Sequence, residues 1–124
     1  FNLFRLSHYL GNKDFSNYAD KMINNIIANL ENRVTDHMFW LWSSLNYSES
    51  FFELAISGPD AKQKAKELSL KYLPNAVIAA YNEPSDLYLL KDRFVKDVTY
   101  IYVCVNNTCK FPVTNIKEAL KLMD

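Results

Sequence analysis

Near residue 49 the apolar pattern changes period, and that change divides the chain into two kinds of structure. Before it, apolar residues recur at helical spacings. After it, short β-branched and aromatic runs alternate with turn residues and one amphipathic stretch. A strand, a helix and a second strand within about thirty residues make a βαβ unit, whose two strands run parallel because the helix carries the chain back to its starting edge.

The first half reads as three helices. Leu3, Leu6 and Leu10, with Phe4 and Tyr9 nearby, predict a short one, closed by Gly11 where a left-handed cap is usual. Lys13 or Asp14 starts the second. Its stripe of Phe15, Tyr18, Ala19, Met22, Ile23, Ile26, Ile27 and Leu30 predicts one firmly buried face. Beyond Glu31-Asn32-Arg33, Thr35 or Asp36 is placed to cap a third helix with Met38, Leu41, Trp42 and Leu45 as its inner stripe. Phe39 and Trp40 lie off that stripe, so this helix is apolar on more than one face and calls for cover on both sides. The α/β half is one source of cover, and structure upstream of Phe1 is the other. Phe1-Asn2-Leu3 lacks Met and the basic-then-apolar order of a signal peptide, so the expectation is the C-terminal piece of a larger protein.

In the second half, Phe51 to Ser57 predicts a strand and Gly58-Pro59-Asp60 a turn into a helix with Ala61, Ala65, Leu68 and Tyr72 inward. Asn75 to Tyr81 follows as a buried strand, then a short helical or turn segment from Pro84 through Leu90. Thr99 to Val105 is a third strand, β-branched and aromatic. Asn106-Asn107-Thr108 turns the chain, and Asn115 with Glu118 suggests a capping box before a helix with Ile116, Ala119, Leu120 and Met123 inward. The predicted fold is α/β. A helical segment spans residues 1–48, and over 49–124 a small three-stranded, mostly parallel sheet is flanked by helices, with the Thr99 strand able to join antiparallel.

Composition narrows the function classes. With 49% hydrophobic residues in 124, a core forms without needing disulfides or a metal. Fourteen basic residues balance fourteen acidic ones, which removes the electrostatic case for nucleic acid or anionic lipid. The apolar run Ala76 to Ala80 falls far short of the ~20 residues of a membrane helix, so no membrane partner is expected. The location expected is cytoplasmic. Two glycines exclude any Gly-rich phosphate loop. No cofactor is predicted.

Chemistry concentrates on Cys104 and Cys109, with four residues between them, at the end of a predicted strand. In one reading, a turn at Asn106-Asn107 would bring them within disulfide reach, a Cα separation of ~5.5 Å. A redox dithiol is more often C-x-x-C at a helix N-terminus. A zinc site needs two more ligands, and His8 and His37 both lie in the helical half. Burial of one or both as ordinary small residues is the leading reading. No catalytic residue and no metal ligand is assigned. Ser57, Gly58, Asn82 and Glu83 sit where open α/β sheets bind ligands, although turn and cap chemistry accounts for the same residue types.

The stretch Tyr102-Val103-Cys104-Val105-Asn106-Asn107-Thr108-Cys109-Lys110-Phe111-Pro112-Val113-Thr114, followed by an amphipathic helix, resembles the end of the thioredoxin-domain-containing family related to spermatogenesis-associated thioredoxin-like proteins. The helix before Gly11, the aromatic-rich helix, the Ile56-Ser57-Gly58 strand end and the Tyr72-Leu73-Pro74-Asn75 turn are similar in order. The resemblance implies an N-terminal thioredoxin-like domain, then an (α/α)6 toroid similar to sugar epimerases, then a small α/β region. Residues 1–48 would be the last toroid helices, and the partners would be the missing N-terminal domains of the same chain. The leading expectation is a non-catalytic C-terminal module. The alternatives are part of a carbohydrate-acting enzyme, with a sugar or other small molecule bound in the parent, and a thiol–disulfide module using Cys104 and Cys109. A shared fold does not carry a reaction with it.

Overall fold

The computed structural model describes residues 1–28, 34–48 and 50–123, in two compact units, Phe1–Ser50 and Phe51–Asp124. Leu30 of the second predicted stripe and the Glu31-Asn32-Arg33 segment lie outside the described residues.

In the first unit, helix α1 (Asn2–Leu10) ends on Gly11 at φ 62°, the left-handed conformation that glycine adopts without a Cβ clash. Asn12 then caps α2 (Lys13–Ile27), its Oδ1 accepting from Asp14 N at 2.9 Å and Phe15 N at 3.3 Å. Two of the donors orphaned at any helix start are thereby satisfied. Phe4 on α1 and Ala19 and Ile23 on α2 are buried, but Tyr18, Met22 and Ile27 remain exposed. The long α2 stripe therefore covers only part of its apolar width.

A 3-10 turn, Val34–His37, leads into α3 (Met38–Ser48), so Thr35 and Asp36 lie within that turn rather than at a cap. Most of the predicted inner stripe of α3 is turned outward: Met38 is 62% exposed, Trp42 51% and Leu45 60%, with Phe39 at 58%, while Leu41 is half-buried. Ser43 is the buried residue instead, its hydroxyl donating to Phe39 O at 2.9 Å. That internal bond lets a polar residue sit inside without an unpaired donor.

The second unit holds a four-stranded mixed sheet in the order β2-β1-β3-β4. Its strands are β1 (Phe52–Ser57), β2 (Ala76–Tyr81), β3 (Tyr100–Val105) and β4 (Thr108–Cys109). The expected three-stranded, mostly parallel sheet is thus corrected in strand number and direction. β1 and β2 are parallel, with α4 (Ala61–Ser69) between them in sequence, whereas β3 is antiparallel to β1, Leu54 facing Val103. The register gives the reason. Tyr100 begins β3 opposite Ser57, at the end of the sheet where β2 also finishes, so residues 82–99 need no crossover helix. They run as turns and bends instead, with Leu89 and Leu90 buried.

Strand alternation puts Phe52, Leu54 and Ile56 on the same face as Ile101 and Val103, and these pack with Ala61 and Leu68 of α4 and Ala119 of α5 (Ile116–Lys121). Each large apolar side chain buried there contributes roughly 1.5–3 kcal/mol. Tyr72, expected inward, is exposed because α4 stops at Ser69. Asn115 caps α5 as the sequence predicts, its Oδ1 accepting from Glu118 N at 2.9 Å. Lys110 Nζ donates to Leu122 O at 2.6 Å, placing a cation at the negative end of α5.

Candidate functional site: the cystine hairpin

Cys104 and Cys109 close a two-residue hairpin. Asn106 and Asn107 have φ of 49° and 63°, the positive values that a type I′ turn needs at both central positions and that asparagine tolerates better than other side-chain-bearing residues. Tyr88 OH donates to Asn107 Oδ1 at 3.2 Å, pinning the turn. Val105 faces Thr108 and Cys104 faces Cys109, while Lys110 N donates to Val103 O at 2.9 Å. The cysteines thus occupy a non-hydrogen-bonded position of the ladder, where side chains approach most closely. Their sulfurs are joined in a disulfide, with Cα atoms 3.9 Å apart.

Beyond the cystine the register slips by one. Lys110 bonds Val103, yet Val113 pairs with Ile101, so Phe111 and Pro112 together oppose Tyr102. This is a bulge, and it suits proline, which has no N–H to give the ladder. Phe111 is thrown out into solvent.

The neighbours of the cystine come from across the sheet and from the 82–99 segment. Cys104, Tyr102 and Tyr100 share the face opposite the main core with Glu53, Ala55 and Ser57 of β1, Glu53 standing across from Cys104. Glu53 is buried. Asp92, at φ 59°, turns the backbone so that Arg93 Nη1 donates to Cys104 Sγ at 3.2 Å. The guanidinium lies 5.0 Å from the Tyr102 ring centre, and Tyr102 OH donates to Arg93 O at 3.4 Å. Arg93 carries no signal in the sequence. Glu53 carries a weak one, as a charge inside a run otherwise reading as a buried strand.

The other candidates are not brought to this site. Ser57 is buried, and Gly58, at φ 131°, sits where a Cβ would fall on Val98 O and within 2.6 Å of Thr99 Cα. Asn82 accepts from Lys62 N at 3.1 Å and donates to Pro59 O at 2.8 Å, while Glu83 is exposed. These residues do turn and cap work. His8 packs its ring on Phe4 at 4.7 Å, and His37 belongs to the 3-10 turn. Among the described residues no group of three or more His, Cys, Asp or Glu side chains is placed to hold a metal ion, and no described helix is long and apolar enough to cross a membrane.

A second feature lies in the helical unit. Phe1 stacks on Trp42 at 5.5 Å and meets Phe39 edge-on at 6.1 Å, and Phe4 lies 4.7 Å from Tyr47. Burial, then the charge of Asp20 and a hydrogen bond to it, push the Tyr47 phenol up to about 12. Beside this cluster an apolar groove is lined by Phe1, Leu3, Met22, Ile23, Phe39 and Trp40.

No family model matches the chain, and no curated protein or solved structure matches it.

Proposed function

We propose that this chain is a non-catalytic docking module whose helical unit completes the packing of further α-helices, in the manner of the closing helices of an α/α toroid in a thioredoxin-like protein. The observation that carries the reading is the outward apolar face of α3, with Met38, Phe39, Trp42 and Leu45 each more than half exposed. Contiguous apolar surface of this kind marks an interaction site. Its spacing suits a helix: Met38, Trp42 and Leu45 recur at four and three residues, and Tyr18 and Met22 on α2 at four, the ridges that interdigitate in helix pairs. Residues 38–48 contain no Asp, Glu, Lys or Arg, so the partner face is apolar rather than charged.

The partner in this reading is the helical part of the parent, preceded by its thioredoxin-like domain, in the cytoplasm. A carbohydrate would be handled elsewhere in the parent. The test mixes the chain with a toroid polypeptide lacking these residues and follows association by calorimetry. Saturable binding is expected, weakened at least about thirtyfold by Trp42→Glu, as for a buried aromatic anchor. Saturable binding of mono- or oligosaccharides by the chain alone would contradict the reading.

A further inference from the structure

The two sulfurs of the Cys104–Cys109 bond differ in what decides thiol–disulfide exchange. Cys109 lies exposed on the short edge strand β4, whereas Cys104 is 1% exposed. A thiolate must reach the sulfur it attacks, so access favours Cys109. The sulfur that departs must take up negative charge, and it departs faster when that charge is stabilised. Arg93 Nη1 stands 3.2 Å from Cys104 Sγ, its guanidinium set against the Tyr102 ring. A neighbouring cation favours the thiolate. Glu53 is buried at the register position across from Cys104, and Arg93 is the cation in contact with the sulfur.

We infer that the cystine is a directional thiol–disulfide exchange site, at which a thiol attacks Cys109 and Cys104 leaves as a thiolate held by Arg93. In the first step the thiolate sulfur of the incoming reductant bonds to Cys109 Sγ as the Cys109–Cys104 bond breaks, the electron pair passing to Cys104 Sγ. In the second, another thiolate attacks the reductant's own sulfur in the mixed disulfide. The reductant departs as its disulfide and Cys109 is released as a thiolate. Two thiols are oxidised and one cystine is reduced by two electrons. The hairpin then loses the covalent tie between β3 and its two-residue partner β4.

The test treats the oxidised chain with reduced glutathione, stops the reaction with acid and alkylation, and maps the products by mass spectrometry. Glutathione on Cys109 and an alkylated thiol on Cys104 are expected; an adduct mainly on Cys104 would overturn the assigned direction. Arg93→Gln is expected to slow adduct formation roughly three- to tenfold, from the lost stabilisation of the leaving thiolate, and Arg93→Lys to retain most of the rate. Equal rates for the wild type and Arg93→Gln would remove Arg93 from the site. Should Arg93→Gln fail to fold, the single-cysteine variants decide. With glutathione disulfide, Cys109 in Cys104→Ser is expected to react faster than Cys104 in Cys109→Ser, and the reverse order sinks the proposal.

Discussion

Cys104 and Cys109 face each other across the β3–β4 hairpin with their Cα atoms 3.9 Å apart, and the bond between them closes a loop with a sequence separation of only five. A loop this short limits the unfolded chain modestly, so replacing both residues by alanine is expected to cost about 2 kcal/mol. Urea unfolding of the chain measures it. An unchanged midpoint would show that the hairpin holds without the bond.

Gly58 is a sharper structural dependence. Its φ of 131° is closed to other residues, and a Cβ would run into the Val98 carbonyl and Thr99 Cα, both backbone. Backbone strain and overlap together place Gly58→Ala at about 3 kcal/mol of lost stability. The same unfolding measurement applies, and a loss under ~1 kcal/mol would mean that the β1–α4 turn relaxes freely.

Much of this architecture is legible in the sequence. The βαβ unit follows from Phe51 to Tyr81, the final helix from the Asn115 and Glu118 pair, and the first helix end from Gly11. What escapes depends on distant partners. The direction of β3 is set by which end of the sheet residue 99 returns to, and no local pattern in 82–99 encodes that. β4 is two residues long, too short to show a period. On α3 the apolar stripe is visible, but whether it faces in or out depends on what it meets. At the cystine, the spacing of Cys104 and Cys109 marks the pair, while Arg93 arrives through the positive φ of Asp92, a position that reads only as part of a loop.

Tyr47 gives the helical unit a dependence on high pH. Its phenol is raised to about 12 by burial first and Asp20 second, above the ordinary 10.0 of an unfolded tyrosine. The associated stability is fully present below pH 10 and is lost as pH rises through about 12. Tyrosinate absorbance of the wild type minus that of Tyr47→Phe should show one phenol titrating near 12. A difference curve centred on pH 10 would remove Asp20 and burial as causes.

Asn12 satisfies two α2 backbone donors with one oxygen. Asn12→Ala is therefore expected to lower stability by about 1 kcal/mol, whereas Asn12→Ser should restore most of it because serine caps nearly as well. Thermal unfolding followed by helix circular dichroism compares the two.

The docking account is tested most directly at Trp42, which is made the sole tryptophan by Trp40→Phe. Iodide quenching of its fluorescence is measured in the isolated chain and in a longer polypeptide that adds the helical partner proposed above. The account predicts strong quenching in the isolated chain and loss of most of it, with a blue-shifted emission, in the longer polypeptide. Equal quenching in both would contradict it, because the apolar face of α3 would then have no helical partner there.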